Sequence, residues 1–296
     1  MSKSLVLTVD TVFNNPTAPY IKKYDPIENR FGSLFLWDGG LVQTTIPTSN
    51  SAISPIPNLL SEYSNGAMIF TKNSQGNQYA KSELSAKKGI HMIATQDLTL
   101  NWSSISFFEG LSLDATLNEK IVAALSKANP KIYFSIWTRQ TRLGTQDSTS
   151  TSNATVFNFT ASSQGRAMAS LYTKARAMDI GWQAGLGLSL SKLDKTMREA
   201  GALANNNYQV LVGNYLGGTT LSMQLGVGML RNQTQVAQKG DIPSFIVYRI
   251  YIEDLNASGR TFAEVKSIDD AEFEKAFAVG GRFYGDSWSD PASVLA

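Results

Sequence analysis

Apolar and polar residues take turns along much of this chain. In TLSMQLGVGML, Leu221, Met223, Leu225, Val227 and Met229 alternate with Ser222, Gln224, Gly226 and Gly228. In IGWQAGLGLSL, Trp182, Ala184, Leu186, Leu188 and Leu190 alternate with Gly181, Gln183, Gly185, Gly187 and Ser189. Successive side chains of a β-strand point to opposite faces, so each pattern predicts a strand that buries one face. AMIFT (67–71), GIHMIAT (89–95), KIYFSIWTR (131–139), ATVFNFT (154–160), MASLYT (168–173) and YQVLVGNYL (208–216) are further strand candidates. Asn, Gly and Ser turns separate them, and the helices that a parallel sheet needs between its strands are missing. The expected fold class is all-β: antiparallel sheets packed as a two-sheet sandwich, with a few short helices. Glycines inside several strands predict bends or bulges.

The stretch SFIVYRIYIEDLNASGRTFAEV (244–265) joins a strand to a helix. Strict alternation puts Ile246, Tyr248, Ile250 and Ile252 on one face and Val247, Arg249 and Tyr251 on the other. Asn256 to Gly259 supplies a turn. Thr261 and Glu264 then have the spacing of a capping box, which opens a short helix. Glu253 and Asp254 precede that helix, where negative charge suits its positive end. TLNEKIVAALSKA predicts another helix, with Thr116 and Glu119 as its capping box, Leu117, Ile121 and Leu125 on one stripe, and Pro130 as its stop. DDAEFEKAFAVGG predicts a third, carrying Phe273 and Phe277 one turn apart and ending at Gly280-Gly281. A fainter helical pattern lies in LDKTMREAG (193–201).

Prolines divide the chain unevenly. Pro16, Pro19, Pro26, Pro47, Pro55 and Pro57 all fall near the front, and each removes a backbone donor. Residues 1–60 are therefore expected to be an extended N-terminal arm with short strands, SLVLTVD and SLFLWDGG. Residues 61–268 form the sandwich, and 269–296 a C-terminal helix and docking tail. The tail, GGRFYGDSWSDPASVLA, sets aromatics among Gly and Asp, the pattern of a segment that docks. Tyr20 and Trp37 in the arm and Phe283 and Tyr284 in the tail are the candidate assembly residues, since aromatics concentrate at interface centres.

Composition narrows the chemistry. The formal net charge is +2 and the basic residues are scattered, so no nucleic-acid footprint is present. The chain has no cysteine and one histidine, His91. Disulfides, thiolate metal sites and paired-imidazole relays are thereby excluded, and neither a metal site nor a cofactor is expected. No stretch approaches the roughly 18 apolar residues of a membrane span, and MSKSLVLTVD is interrupted too early for a secretion signal. Synthesis in a cytoplasm without membrane insertion is the expectation. The sequons at Asn101, Asn153, Asn158, Asn232 and Asn256 then carry no glycosylation meaning. Walker A and G-x-S-x-G motifs are absent. Five tryptophans are available for sugar contact. Trp182 shares a face with aliphatic residues and belongs to the core, whereas Trp137 fits either core or groove. Trp102 and Trp288 lie in polar segments. Arg139, following Trp137, would grip an anion or stack on an aromatic, or simply end a solvated strand. Trp102, Trp137, Arg139 and Trp288 are the candidate ligand-binding residues.

The segment Arg249, Tyr251, Asp254, Leu255, Ser258 and Glu264 resembles the late strand and short helix of concanavalin A-like and laminin-G-like jelly rolls. KIYFSIWTR is similar to the early strand of those domains. The resemblance spans about residues 65–265 and implies a jelly-roll topology. Leu-Gly-Gly follows YQVLVGNY where the family has an Asp-Gly hairpin. Glycoside hydrolases of this kind carry Glu-x-Asp-x-x-Glu on one strand, which this chain lacks, so a non-enzymatic protein is expected. The cysteine-free, Gly/Asn/Ser/Thr-rich β-structure with terminal arms resembles a bacteriophage virion protein of a tail, baseplate, fibre or capsid decoration. That resemblance implies a homo-oligomer that assembles with other virion proteins and engages host-surface glycans. The alternatives are a stand-alone carbohydrate-binding module or a polysaccharide hydrolase.

Overall fold

The computed structural model describes residues 25–49, 52–60, 64–73, 78–97, 99–100, 108–144, 155–161, 166–174, 177–181, 188–191, 205–213, 221–228 and 242–295, with backbone alone between 155 and 213. These residues form two antiparallel sheets. The first runs β11 (Leu188–Ser191), β12 (Asn205–Gly213), β7 (Lys131–Arg142), β14 (Ser244–Asp254), β5 (Ile90–Ala94) and β4 (Ala80–Leu84), and β1 (Ser33–Asp38) also pairs with β14. The second runs β10 (Ala177–Gly181), β9 (Arg166–Lys174), β8 (Thr155–Ala161), β13 (Leu221–Gly228), β6 (Phe108–Leu113), β3 (Met68–Asn73) and β2 (Ala52–Ile56). The mostly-β class, the antiparallel pairing and the few short helices agree with the alternation in the sequence. No helix among the described residues is long and apolar enough to cross a membrane.

The core lies between the sheets. Phe134 and Ile136 of β7 and Met92 of β5 meet Phe70, Leu111, Leu225 and Val227 of the second sheet. Helix α1 (Ala115–Leu125) adds Leu117, Ile121 and Leu125. Its cap is Asp114, which accepts from Leu117 N–H at 2.6 Å. The sequence had pointed to Thr116, but an Asp one residue before the helix reaches the free N–H groups first. Where β6 and β13 pair, Gly110 faces Gly226. A Cβ on Gly226 would lie 2.4 Å from the Glu109 carbonyl oxygen, so these glycines permit close backbone approach rather than a bend.

Strand β14 organises the first sheet. On one edge it pairs with β7 along its length. On the other, Phe245–Val247 pair with β5 and Arg249–Glu253 with β1, so β5 and β1 share that edge end to end. The register against β7 slips between Val247 and Arg249, leaving Tyr248 as an extra residue, a β-bulge. The bulge overturns the strict alternation read from the sequence. Phe245, Val247, Ile250 and Ile252 face the inter-sheet core, while Ile246, Tyr248 and Tyr251 join clusters on the opposite side.

That opposite side is covered. The helix begun at Thr261 and the one predicted from Asp269 are a single α3 (Phe262–Phe277), since no proline or glycine interrupts them. Thr261 and Glu264 form the reciprocal capping box expected of them. Between β14 and α3, the expected turn is a one-turn helix, α2 (Leu255–Ser258), capped by Asp254 and closed by Gly259 in the left-handed conformation (φ 72°). A final turn, α4 (Pro291–Val294), ends the described chain. Because β14 is packed between the core and α3, each of its residues is buried.

Two segments of the expected arm belong to the sheets: β1 lies beside β14 and β2 at an edge of the second sheet. No proline falls within 33–38, so β1 keeps every ladder donor. Pro55 sits in β2, where one strand edge has no partner among the described strands. SLVLTVD and LDKTMREAG lie outside the described residues.

Candidate functional site

Polar groups collect first beneath α3. Tyr133, Ser135 and Trp137 project from the outer face of β7 by alternation. All three donate to the Asp269 carboxylate of α3, Tyr133 Oη and Trp137 Nε1 each at 3.0 Å. Burial raises the Asp269 carboxyl above the usual range and prevails over the opposing Arg249 charge and these donors. Arg249, with 0% exposure, forks onto Asp25 at 2.7 and 2.8 Å and reaches Asp38 at 3.0 Å. Its guanidinium lies 4.8 Å from the Trp137 ring, and Arg282 stacks on the same ring at 5.3 Å while bonding Asp38 at 2.7 Å. Burial pushes the Asp25 carboxyl up, but the Arg249 bonds more than offset it and hold it below the ordinary value. Further along, Arg260 grips Glu253 at 2.6 and 2.9 Å, and the Tyr251 hydroxyl donates to Glu253 at 2.8 Å. Burial and Glu253 raise that phenol well above its normal value. Each of these carboxylates is matched by a cation or by hydroxyl and indole donors of the same chain. The arrangement ties residues 25–38, β7, β14 and α3 together.

The predicted site residues fall on this frame. Trp137 and Trp37 are buried, and Trp37 Nε1 donates to Thr44 Oγ1 at 2.9 Å. Phe283 is buried against Tyr248, Phe277 and Trp137. Trp137, Trp37 and Phe283 therefore serve contacts within the chain. Arg139 and Trp288 are brought together, the guanidinium 5.1 Å from the ring centroid. Tyr284 remains 49% exposed. Tyr20 and Trp102 lie outside the described residues. His91 is buried between Glu83 (3.1 Å) and Thr141 (2.9 Å), and burial lowers its pKa despite Glu83. Glu83 also accepts from Ser289 N–H at 3.0 Å and Oγ at 2.9 Å. Tyr248 donates to Asp286 at 2.8 Å, and Arg142 reaches the Leu295 carbonyl at 2.8 Å. The C-terminal segment, expected to engage other subunits, packs on the first sheet of its own chain.

One place differs in kind. A cleft of about 550 Å³ opens between β3 and β4, with Thr44, Thr45, Thr48, Lys72, Lys81 and Ser82 among its lining. Behind it lies Glu109, with 0% exposure and neither carboxylate oxygen hydrogen-bonded among the described residues. Lys72, its direct cross-strand partner, is 6% exposed, and its ammonium stands 3.9 Å away, too far for a hydrogen bond. Ser82 Oγ is likewise buried and without a well-formed bond among the described residues. Burial raises the Glu109 carboxyl, and Ser82 and Lys72 only partly oppose this. The sequence carried a signal for this pair. Met68, Phe70 and Lys72 share one face of β3, and Glu109 shares one face of β6 with Leu111, so each charge stands where the period demands an apolar side chain.

No group of three or more His, Asp or Glu side chains among the described residues is placed to hold a metal. In comparisons with known proteins, no family, curated protein or solved structure matches this chain.

Proposed function

We propose that this protein is a non-enzymatic structural subunit of a bacteriophage particle, part of a tail, baseplate or fibre or a capsid decoration. It associates with copies of itself and with other virion proteins and meets host-surface glycans. The observation that carries this reading is where its side chains are used. Buried Arg249, Asp38, Asp269 and Glu253, with half-buried Asp25, stiffen the fold from within, while large apolar side chains remain outside. Leu41, Val279 and Tyr284 are exposed. They belong to segments that meet where Gly40 packs on Arg282 and Phe283. Ile53 is exposed on edge strand β2, and open edges and apolar patches are the usual material of subunit contacts. Association through these surfaces replaces association through Trp37 and Phe283, which are buried within their own chain.

The jelly-roll kinship is part of the same reading. Strand β14 pairs with β1, β5 and β7, and β13 with β6 and β8. Both sheets thus combine hairpin neighbours with strands distant in sequence, as Greek-key sandwiches do.

Size-exclusion chromatography with light scattering tests the assembly. The expected result is a multiple of the 32.2 kDa chain mass, reduced towards one chain by Leu41→Glu with Tyr284→Glu. A stable monomer at all concentrations would count against it. Mass spectrometry of purified particles from a phage encoding the chain tests its place in a virion. Glycan-array binding without release of reducing sugar separates this reading from a polysaccharide hydrolase.

A further inference from the structure

We propose that the cleft between β3 and β4 binds a small hydroxylated carboxylate, with Lys72 holding the anion and Ser82 and the Thr44, Thr45 and Thr48 hydroxyls meeting the ligand's hydroxyls. This goes beyond the assembly reading, and it supplies the glycan contact of that reading where the carboxylate belongs to an acidic sugar.

A structural ion pair buried this deeply would be tight, because uncompensated buried charge is expensive. Lys72 and Glu109 are instead 3.9 Å apart, and Glu109 and Ser82 make no well-formed hydrogen bond among the described residues. Unsatisfied buried groups of this kind mark a place where something else completes the bonding. The other charged groups at the cleft are already engaged. Lys81 donates to the Val294 carbonyl at 3.1 Å, and Glu83 accepts from Ser289 and lies against His91. At 3.9 Å, without a hydrogen bond, Glu109 balances the Lys72 charge only in part, and Lys72 also lines the cleft, from which a second anion can reach it. A single buried cation suits a monoanion. A phosphate dianion would call for more donors than one ammonium and a few hydroxyls supply. The volume, about 550 Å³, falls within the roughly 300–1,000 Å³ of small-molecule sites. It is far larger than a bare acetate needs. Ile46, Pro47 and Leu84 in the walls offer apolar surface to the C–H groups between a ligand's hydroxyls.

The test uses the full chain and four probes, glucuronate, gluconate, glucose and acetate, followed by calorimetry and methyl NMR. At least one of the two hydroxylated acids is expected to bind about tenfold or more tighter than glucose and acetate, with shifts at Leu84, Ile93 and Val294. Lys72→Met should weaken it about tenfold or more, the value of a charged hydrogen bond, while the surface control Lys131→Met leaves it unchanged. If Lys72→Met fails to fold, Ser82→Ala and the wild-type methyl shifts still locate the site. Preference for glucuronate identifies a sugar acid as the source, and preference for gluconate an open-chain hydroxy acid. Binding by neither acid, equal binding of glucose or acetate, or shifts elsewhere would overturn the proposal. Light scattering would be untouched by that failure, so the assembly reading stands or falls separately.

Discussion

Arg249 sits between Asp25 and Asp38 with no exposure to solvent, and its fork geometry serves both carboxylates. Arg249→Met should destabilise the fold by about 3–5 kcal/mol in urea unfolding, because Asp25 is left buried without its cation. Arg249→Lys should rescue little, since an ammonium cannot make the paired bonds. The Asp25 carboxyl titrates below its ordinary value in the fold. Its stabilising contribution is therefore present above the unfolded pKa and lost as pH falls through the folded one. The methionine variant should lack that acid-side loss in melting curves taken against pH. Glu109 has the opposite sign. Its folded pKa is raised, so the stability linked to it is complete below about 4.5 and declines as pH climbs through the folded value. Glu109→Gln should match wild type on the acid side and melt about 2 °C or more higher at neutral pH. Equal melting at both pH values would show that Glu109 bears no penalty.

At the scale of elements, α3 and the segment after it act as a clamp on the first sheet. Thr261→Ala removes the capping box and should cost about 1 kcal/mol. Ending the chain after Gly280 should cost far more, by stripping Phe283 from Trp137 and Tyr248 and Asp286 from the Tyr248 hydroxyl. Red-shifted tryptophan emission and dye binding to the bared sheet are the expected readouts. Unchanged emission would mean that the clamp is dispensable. Most of these elements were legible as periods of two, and the Thr261 cap as a spacing of three. The bulge at Tyr248 was not, because a single extra residue leaves an apolar strand looking regular. Its position is set by partners distant in sequence, Trp137 on β7 and Asp25 and Asp38 on the outer face. Full burial of β14 likewise required knowing that α3 returns over it. Of the candidate site, neither Lys72 nor Glu109 was read from the sequence: the strand candidate AMIFT stops one residue short of Lys72, none covers Glu109, and their pairing needed the register of β3 against β6.

For the whole molecule, the two faces of the first sheet do different work. The inner face packs apolar groups against the second sheet, and the outer face fixes α3 and the C-terminal segment with charges, phenols and indoles. Rigidity of this kind suits a part that bears load and presents surfaces, and the oligomer expected in light scattering is its counterpart. The central place of β14 has one more consequence, in time. A ribosome releases β1, β5 and β7 well before residues 244–254, so these strands wait in the nascent chain for the partner that unites them. Until it emerges, their unpaired edges and apolar faces are open to chaperones, or to one another on neighbouring polysomes.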